Sequence, residues 1–411
     1  MIQTQVELAS GGVLTCQVRN VAMVEHVPPD VLMERVARGS VVIMTRGEVS
    51  VGIGEGLRTK VNVNLGTSSV ACNPLEEVKK AIIAGKHGAD TISELSMGGD
   101  ITKIRGEIFK NSRIPVTTVP IYQACAEQGI KHMTWDHILD TVRMQAEEGV
   151  SSFVFHFVSN EMLALLKPKR RILGVVSKGG SITCAYMIKN QVENPFIENF
   201  DELLAIMKQY DIVLSLGNTM RSGCIHDTRD KAQIAEMKMN AELASRAHSS
   251  GVQVIIEGMG GHVRADRIAG YVKYQKGLTP FPLFVAGPLP TDVAMGYDHI
   301  AGCVGASIAS GAGADYLCYI TPAEHLGLPN PEQVREGLVA FRIAAHIGDS
   351  MKYGLSDEDA ELAERRAELD FEGQRCHAID PERAEEIAPR SGPCTMCGDF
   401  CAIKIMRDYH S

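Results

Sequence analysis

Between residues 58 and 321 the chain alternates short runs of β-branched and aromatic residues with longer amphipathic stretches. The apolar runs TKVNVNLG (59–66), DTISELS (90–96), IPVTTVPIY (114–122), SSFVFHFV (151–158), RILGVVS (171–177), DIVLSLG (211–217), VQVIIEG (252–258), PLFVAG (282–287) and DYLCYIT (315–321) predict strands. Between them, stretches such as NPLEEVKKAIIAGKHG (73–88) and WDHILDTVRMQAEEG (135–149) carry apolar residues at helical spacing. Strands alternating with helices at this spacing imply parallel βα units. The segments differ too much from one another for a solenoid repeat. Nine candidates compete for the eight places of a closed α/β barrel, and a (β/α)8 TIM-type barrel over residues 58–350 is the architecture expected. A doubly wound open sheet is the competing arrangement.

Both flanks have a different texture. Residues 1–57 hold an amphipathic stretch, PPDVLMERVARG (28–39), and an apolar run, VVIMTRG (41–47), which predict an N-terminal layer closing or flanking the barrel. Residues 351–411 include SDEDAELAERRAELDFEGQRCHAIDPERAEEI (356–387), dense in charge at helical spacing. This segment predicts a helical hairpin or arm that carries the terminal cysteines; its charges read as a solvated helix face.

Composition narrows the function classes. With 45% hydrophobic and 22% charged residues in 411, the chain is globular rather than disordered or fibrous. No 18-residue uncharged apolar run exists, and MIQTQVELASGG lacks the regions of a secretory signal, so a membrane span and export are not expected. A net charge of −9, from 41 basic against 50 acidic residues, argues against a nucleic-acid partner held by bulk electrostatics. The 11 cysteines are an odd number, which suits the reducing cytoplasm better than a disulfide framework. Cys16, Cys72, Cys125, Cys184, Cys224, Cys303, Cys318 and Cys376 are scattered singly and read as buried small hydrophobes.

Cys394, Cys397 and Cys401 are different: they fall within PCTMCGDFCAIK at C-x2-C-x3-C spacing. Structural zinc wants four ligands, and the one nearby candidate for a fourth is His410. Three thiolates with a vacant fourth position suit a [4Fe–4S] cluster whose unique iron takes another ligand. Zinc and redox-active thiols remain the alternatives.

In a barrel, chemistry gathers at the C-terminal ends of the strands. Those ends read Asn64, then Ser93, Glu94 and Ser96, then Tyr122, His156, Ser177 with Lys178, Asn218 with Arg221, Glu257 and His325. A packed core would have Leu or Val there. Two glycine-rich turns, SKGGS (177–181) and EGMGGH (257–262), let backbone amides approach an anion, and Arg221 adds charge for a phosphate. Neither turn matches a dinucleotide fingerprint or a Walker A loop. His262 and His325 follow strand ends near the acids Glu257 and Glu324, and two such histidines suit a second metal.

The segments GIGEGLRTKVNVNLGTSS (52–69), TVPIYQA (118–124), SKGGS, ENPF (193–196), LSLG (214–217), GYDHI (296–300) and TPAEHLGLP (321–329) resemble the radical S-adenosylmethionine ThiC family of pyrimidine synthases in thiamin biosynthesis. CTMCGDFCAIK is similar to that family's cluster motif. The resemblance implies a barrel enzyme acting on 5-aminoimidazole ribotide, with a [4Fe–4S] cluster, S-adenosylmethionine and a divalent metal (zinc or iron). It further implies an external electron donor and a homodimer with exchanged C-terminal arms. By motif, Asn64, Tyr122, His156, Ser177, Gly179, Arg221 and Glu257 fall on ribotide-binding positions, His262 and His325 on the divalent-metal ligands, and Cys394, Cys397 and Cys401 on the cluster ligands.

Several positions depart from the family pattern. Met-Asp-Leu-Ser becomes Ser93-Glu94-Leu95-Ser96, Ser-Arg-Gly becomes Ser177-Lys178-Gly179, and Asp-Gly-Leu-Arg becomes Asn218-Thr219-Met220-Arg221. The His-Cys-Gly or His-Ala-Gly element becomes His156-Phe157-Val158, the Glu-Gly-Pro-Gly-His turn is one residue longer before His262, and a ligand-contacting Tyr aligns with Phe284. The cysteine spacing is x2, x3 rather than the commoner x2, x4. With scaffold and anion site retained and an acid and a phenol lost, the pattern resembles the BzaF-like paralogue, 5-hydroxybenzimidazole synthase of anaerobic cobalamin-type cofactor synthesis. That product is the expectation, in the carbon–carbon lyase class (EC 4.1.99), with phosphomethylpyrimidine from the same ribotide as its alternative. A non-catalytic, zinc-binding scaffold is the expectation from a different class, and iron and sulfide analysis separates it.

Overall fold

The computed structural model describes residues 3–166, 171–227, 229–388 and 394–409; His410 lies outside them. Eight parallel strands close into a barrel in chain order. They are β3 (Lys60–Leu65), β4 (Thr91–Glu94), β5 (Val116–Thr118), β6 (Ser152–His156), β7 (Val213–Gly217), β8 (Val254–Glu257), β9 (Leu283–Ala286) and β10 (Tyr316–Cys318). Closure is made by β10 against β3, with Tyr316 opposite Lys60 and Cys318 opposite Asn62. The α/β barrel replaces the open-sheet alternative.

One of the nine expected strands is not a strand. RILGVVS (171–177) runs as a loop, because every barrel strand already has a neighbour on each side. Its backbone amides find side chains instead: Ile172 and Leu173 donate to the Asp227 carboxylate at 2.8 and 3.0 Å. Arg171 is buried against Asp230 and the carbonyl of Met220. The run 114–122 also shortens, since Pro120 opens a helix, Pro120–Gln128.

Strand alternation divides the side chains between two faces. One set packs outward under the helices. Phe155 lies 5.0 Å from Phe196, and Phe157 lies 5.3 Å from Phe200 between ring centroids. Val61, Val63, Ile92 and Val116 join Ala81, Ile104 and Phe341 in a second cluster. Burying each large side chain contributes about 1.5–3 kcal/mol, which makes this shell the main source of barrel stability.

The N-terminal mouth is plugged by an antiparallel hairpin, β1 (Val41–Arg46) with β2 (Val49–Gly54). Val42, Met44 and Ile53 pack on Val213, Ile255, Phe284 and Tyr316 from inside the barrel. The hairpin is tied by Gln253, whose side chain accepts from Ile43 N at 2.7 Å and donates to Ile43 O at 3.1 Å. Residues before β1 form three helices, Gln5–Ser10, Cys16–Val24 and Pro29–Ala37, with a small core of their own around Val18, Val21, Leu32 and Val36.

Two compact units are present, Met1–Asp349 and Ser350–Ser411. In the second, three helices (Asp357–Ala367, Phe371–Cys376, Pro381–Ile387) precede a short 3-10 turn, Gly398–Phe400, and a helix Ala402–Tyr409. None of their described residues is buried. All 11 cysteines are free. The reading of the eight single cysteines as core residues needs correction: Cys16, Cys72 and Cys376 are exposed. They sit on the first residue of a helix, on a loop, and on the coreless second unit, where no apolar layer reaches them. No helix among the described residues is long and apolar enough to cross a membrane.

Candidate active site at the C-terminal mouth

Towards the C-terminal mouth the inward face of the barrel turns polar. Asn62 on β3 accepts from Thr91 at 2.9 Å and from Ser93 at 3.1 Å, and donates to Asn64 at 2.8 Å. Asn64 in turn donates to the Cys318 thiol at 3.0 Å. Above this network opens a cavity of about 290 Å³, lined among others by Asn64, Arg221, Ser222, His262, Cys318, Glu324 and His325. Burial and the neighbouring carboxylates push the Cys318 thiol up to about 12, so it stays protonated.

Arg221 is the electrostatic centre. Its charge bears on Tyr122, His156, Lys178, Glu257 and Glu324. Burial holds His156 down at about 3, with Arg221 adding to the effect, so its imidazole is neutral across physiological pH. That ring is clamped between two glycines. A Cβ on Gly179 would stand 2.4 Å from His156 Cε1, and one on Gly217 would stand 2.9 Å from its Cδ2. His156 Nδ1 is buried without a protein partner, as are Asn218 Oδ1 and Thr219 Oγ1. Buried polar atoms of this kind call for a polar ligand.

The anion cradle takes shape at the helix Lys178–Asn190. Ser177 caps it by accepting from Gly180 N at 3.2 Å, and the Lys178 amine stands 5.2 Å from the Tyr122 ring centroid. A helix start, with Lys178 and Arg221 near, suits a phosphate. Tyr122 is pushed up to about 12 by burial and remains a phenol. Glu257 is raised by burial and eased by Arg221, while accepting from Asn218 N at 3.2 Å. The loop that presents Arg221 is held by Glu236, whose carboxylate accepts from Thr219 N at 2.7 Å and Met220 N at 2.8 Å.

His262 and His325 converge from separate loops, with their Nε2 atoms 3.4 Å apart. Each Nδ1 faces a carboxylate: Asp292 at 2.6 Å from His262 and Asp298 at 3.5 Å from His325. With the protons on Nδ1, both Nε2 atoms present lone pairs to each other, an arrangement a cation satisfies. Two nitrogens on a tetrahedral zinc at 2.0–2.1 Å are separated by about 3.3–3.4 Å, so the pair fits a divalent metal. The carboxylates that meet the two Nδ1 atoms are Asp292 and Asp298, while the expected neighbour Glu324 lines the cavity with both histidines and feels the charge of His325.

Other expected residues fall elsewhere. Ser93 lies one layer down, on Asn62. Phe284 also lies below the cavity, stacked on Tyr316 at 4.0 Å, and Ala286 is the β9 residue that reaches the cavity. Glu94 turns outward to Arg105 at 3.4 Å, so it belongs to the barrel–helix interface. Asn62, Cys318, Asp292 and Asp298 were missed; a period-2 reading of β3 and β10 points to the first two, but Asp292 sits in an irregular loop and Asp298 on the first residue of the helix Asp298–Gly311.

In the second unit the three cysteines share one short turn. Gly398 N donates to Cys394 O at 2.9 Å and Phe400 N to Cys397 O at 3.0 Å, with Gly398 at φ 53°. Cys397 is exposed, and Cys394 and Cys401 are half-buried. Three free thiols on a tight, accessible turn are a donor set that fits an iron–sulfur cluster.

The chain matches the radical SAM ThiC family over residues 4–408. It belongs to that family. Among its relatives, a phosphomethylpyrimidine synthase of Caldanaerobacter subterraneus subsp. tengcongensis is 44% identical over 425 residues, covering 99% of this chain and 98% of the relative. Another, from Methanoregula boonei, is 44% identical over 420 residues, covering 98% and 99%. A third, from Ignicoccus hospitalis, is 42% identical over 418 residues, covering 97% and 95%. The expected proximity to the benzimidazole paralogue finds no support in these names. Membership of the radical SAM ThiC family implies an iron–sulfur cluster and S-adenosylmethionine, and with them an enzyme.

Proposed function

We propose that this member of the ThiC family is a radical synthase that takes 5-aminoimidazole ribotide and makes phosphomethylpyrimidine. The observation that carries the reading is the neutral, glycine-clamped His156 under the charge of Arg221, which itself lines the cavity, with Ser177 capping the helix that begins at Lys178. Ser177, Lys178, Gly179 and Arg221 hold the phosphate, and the charge-assisted bonds fix its orientation. Asn64, Tyr122, His156 and Glu257 orient the ribose and imidazole as neutral or singly charged hydrogen-bonding groups. His262 and His325 hold the divalent metal, and Cys394, Cys397 and Cys401 hold the cluster. The cluster, when bound, supplies the electron that cleaves S-adenosylmethionine to a 5′-deoxyadenosyl radical. The barrel's own contribution is exclusion of water and geometry. The reading includes the carbon–carbon lyase class, an external electron donor and a homodimer that exchanges its C-terminal arms; sedimentation of the loaded enzyme measures the last of these.

A second reading, 5-hydroxybenzimidazole from the same ribotide, rests on Asn218 and on the residue added before His262. Asn218 donates to Gly258 O, where an aspartate would place a charge. Phe284 gives it no support, because that ring stacks on Tyr316 and does not line the cavity. Anaerobic incubation of the reconstituted protein with ribotide, reductant and S-adenosylmethionine tests both. Phosphomethylpyrimidine with 5′-deoxyadenosine is the expected result. A benzimidazole product moves the chain to the second reading, and neither product with a fully loaded cluster overturns both.

A further inference from the structure

The loop after Arg221 brings two further metal-binding side chains, Cys224 and His226, to Asp292, the carboxylate that faces His262. Cys224, His226 and Asp292 bring a thiol, an imidazole nitrogen and a carboxylate oxygen within 4.8 Å of one another, with Cys224 buried and the other two exposed. We propose that Cys224, His226 and Asp292 form a second divalent-metal site, of the zinc class, beside the paired histidines.

The backbone holds these three donors in place before any ion arrives. Cys224 and His226 lie at i and i+2 around a 3-10 turn, Ile225–Asp227, closed by Asp227 N donating to Cys224 O at 3.1 Å. One side of the turn is anchored by the Asp227 carboxylate on Ile172 N and Leu173 N. Its other side is anchored by Ile225 N, which donates to Asp292 Oδ2 at 3.1 Å. Tetrahedral ligands on zinc stand about 3.3–3.7 Å apart, so a closure of about 1 Å completes the site, within reach of one rotamer change of the exposed His226. A thiolate, an imidazole and a single carboxylate select a borderline-soft cation and disfavour magnesium or calcium, which want oxygen ligands. Three protein ligands leave a fourth position for water or a small ligand.

Asp292 makes the two sites neighbours in energy as well as in space. Its Oδ1 stands 2.6 Å from His262 Nδ1, so the carboxylate that would bind one metal also orients a ligand of the other. Occupancy of either site then changes affinity at the other by the same factor. The Cys224 thiol hydrogen-bonds the Asp227 carboxylate; binding replaces the S–H bond by S–metal, and one proton goes to solvent.

The test is an anaerobic cobalt(II) titration of the full-length chain with Cys394→Ala, Cys397→Ala and Cys401→Ala, read by metal stoichiometry and near-ultraviolet absorption. Two cobalt ions per chain and a thiolate-to-cobalt band are expected. Adding Cys224→Ser abolishes the band and one ion; adding His325→Ala removes the other ion and leaves the band. His226→Ala, on an exposed side chain that the fold does not need, weakens the band-producing ion at least tenfold and covers the case in which the buried Cys224→Ser variant fails to fold. A band that survives Cys224→Ser in folded protein, no band at all, or a cobalt affinity unchanged by His226→Ala overturns the proposal. None of these outcomes depends on which product the enzyme makes.

Discussion

The two ends of the barrel use the same strands for opposite purposes. At the N-terminal mouth, Val42, Met44 and Ile53 from the hairpin meet Val213, Ile255, Phe284 and Tyr316, and the interior is closed by apolar contact. At the C-terminal mouth, two residues further along the same strands, the inward positions are Ser215, Glu257, Ala286 and Cys318, and buried nitrogen and oxygen atoms of His156 and Asn218 lack protein partners. A strand of three to five residues thus spends its first inward position on cohesion and its last on a ligand. Polar groups without partners cost stability, and the plug at the opposite end offsets that cost.

This contrast can be broken from either side. Arg221→Ala removes the charge shared by five site residues and is expected to lower kcat/KM by about 10²–10³-fold, with thermal unfolding nearly unchanged. Steady-state kinetics with a melting curve reads both quantities; a large loss of stability would mean that Arg221 belongs to the scaffold. Met44→Ala inverts the result. A cavity left under the barrel floor, where Met44 is 1% exposed, costs about 2–5 kcal/mol in urea unfolding, while turnover per folded molecule persists.

Gly179→Ala sharpens the comparison at the site itself. The added methyl cannot coexist with His156 at 2.4 Å, so the imidazole moves. KM for the ribotide should rise by about tenfold while stability falls by about 1–3 kcal/mol. The smallest effect is in the pH dependence of stability. His156 titrates at about 3 in the folded chain against an ordinary value of 6.5, so the unfolded chain binds more protons between those limits. Its contribution is therefore present above pH 6.5 and lost as pH falls towards 3. The difference in stability between wild type and His156→Gln should shrink with acidification in that window; a difference constant with pH would show His156 to be exposed to solvent.

Much of this architecture was legible in the pattern of residues. Eight of the nine apolar runs are barrel strands, because a half-buried strand must alternate and a helix must repeat every 3.6 residues. RILGVVS failed because its composition suits a strand but the closed barrel offers it no edge, and Asp227 takes up its amides. Glu94 failed for a related reason. Adjacent strand residues point to opposite faces, and Glu94 shares the outward parity of Ile92 rather than the inward one of Ser93. The paired histidines were named from the chain, but the partners of their Nδ1 atoms were not, since Asp292 reaches them from a loop and Asp298 from the start of a helix whose approach is set by packing.

By itself the sequence determined the barrel, the polar strand ends, the cysteine turn and the family, because each is a local pattern or a contiguous motif. Tertiary structure alone decided which polar residues meet: it placed Asn64 and Cys318 in the cavity wall, Asn62 and Phe284 beneath it, and Asp292 between two sets of metal-binding side chains. Those outcomes depend on the parity and stagger of strands far apart in the chain and on loops whose path is set by packing, and no pattern within a single segment encodes either.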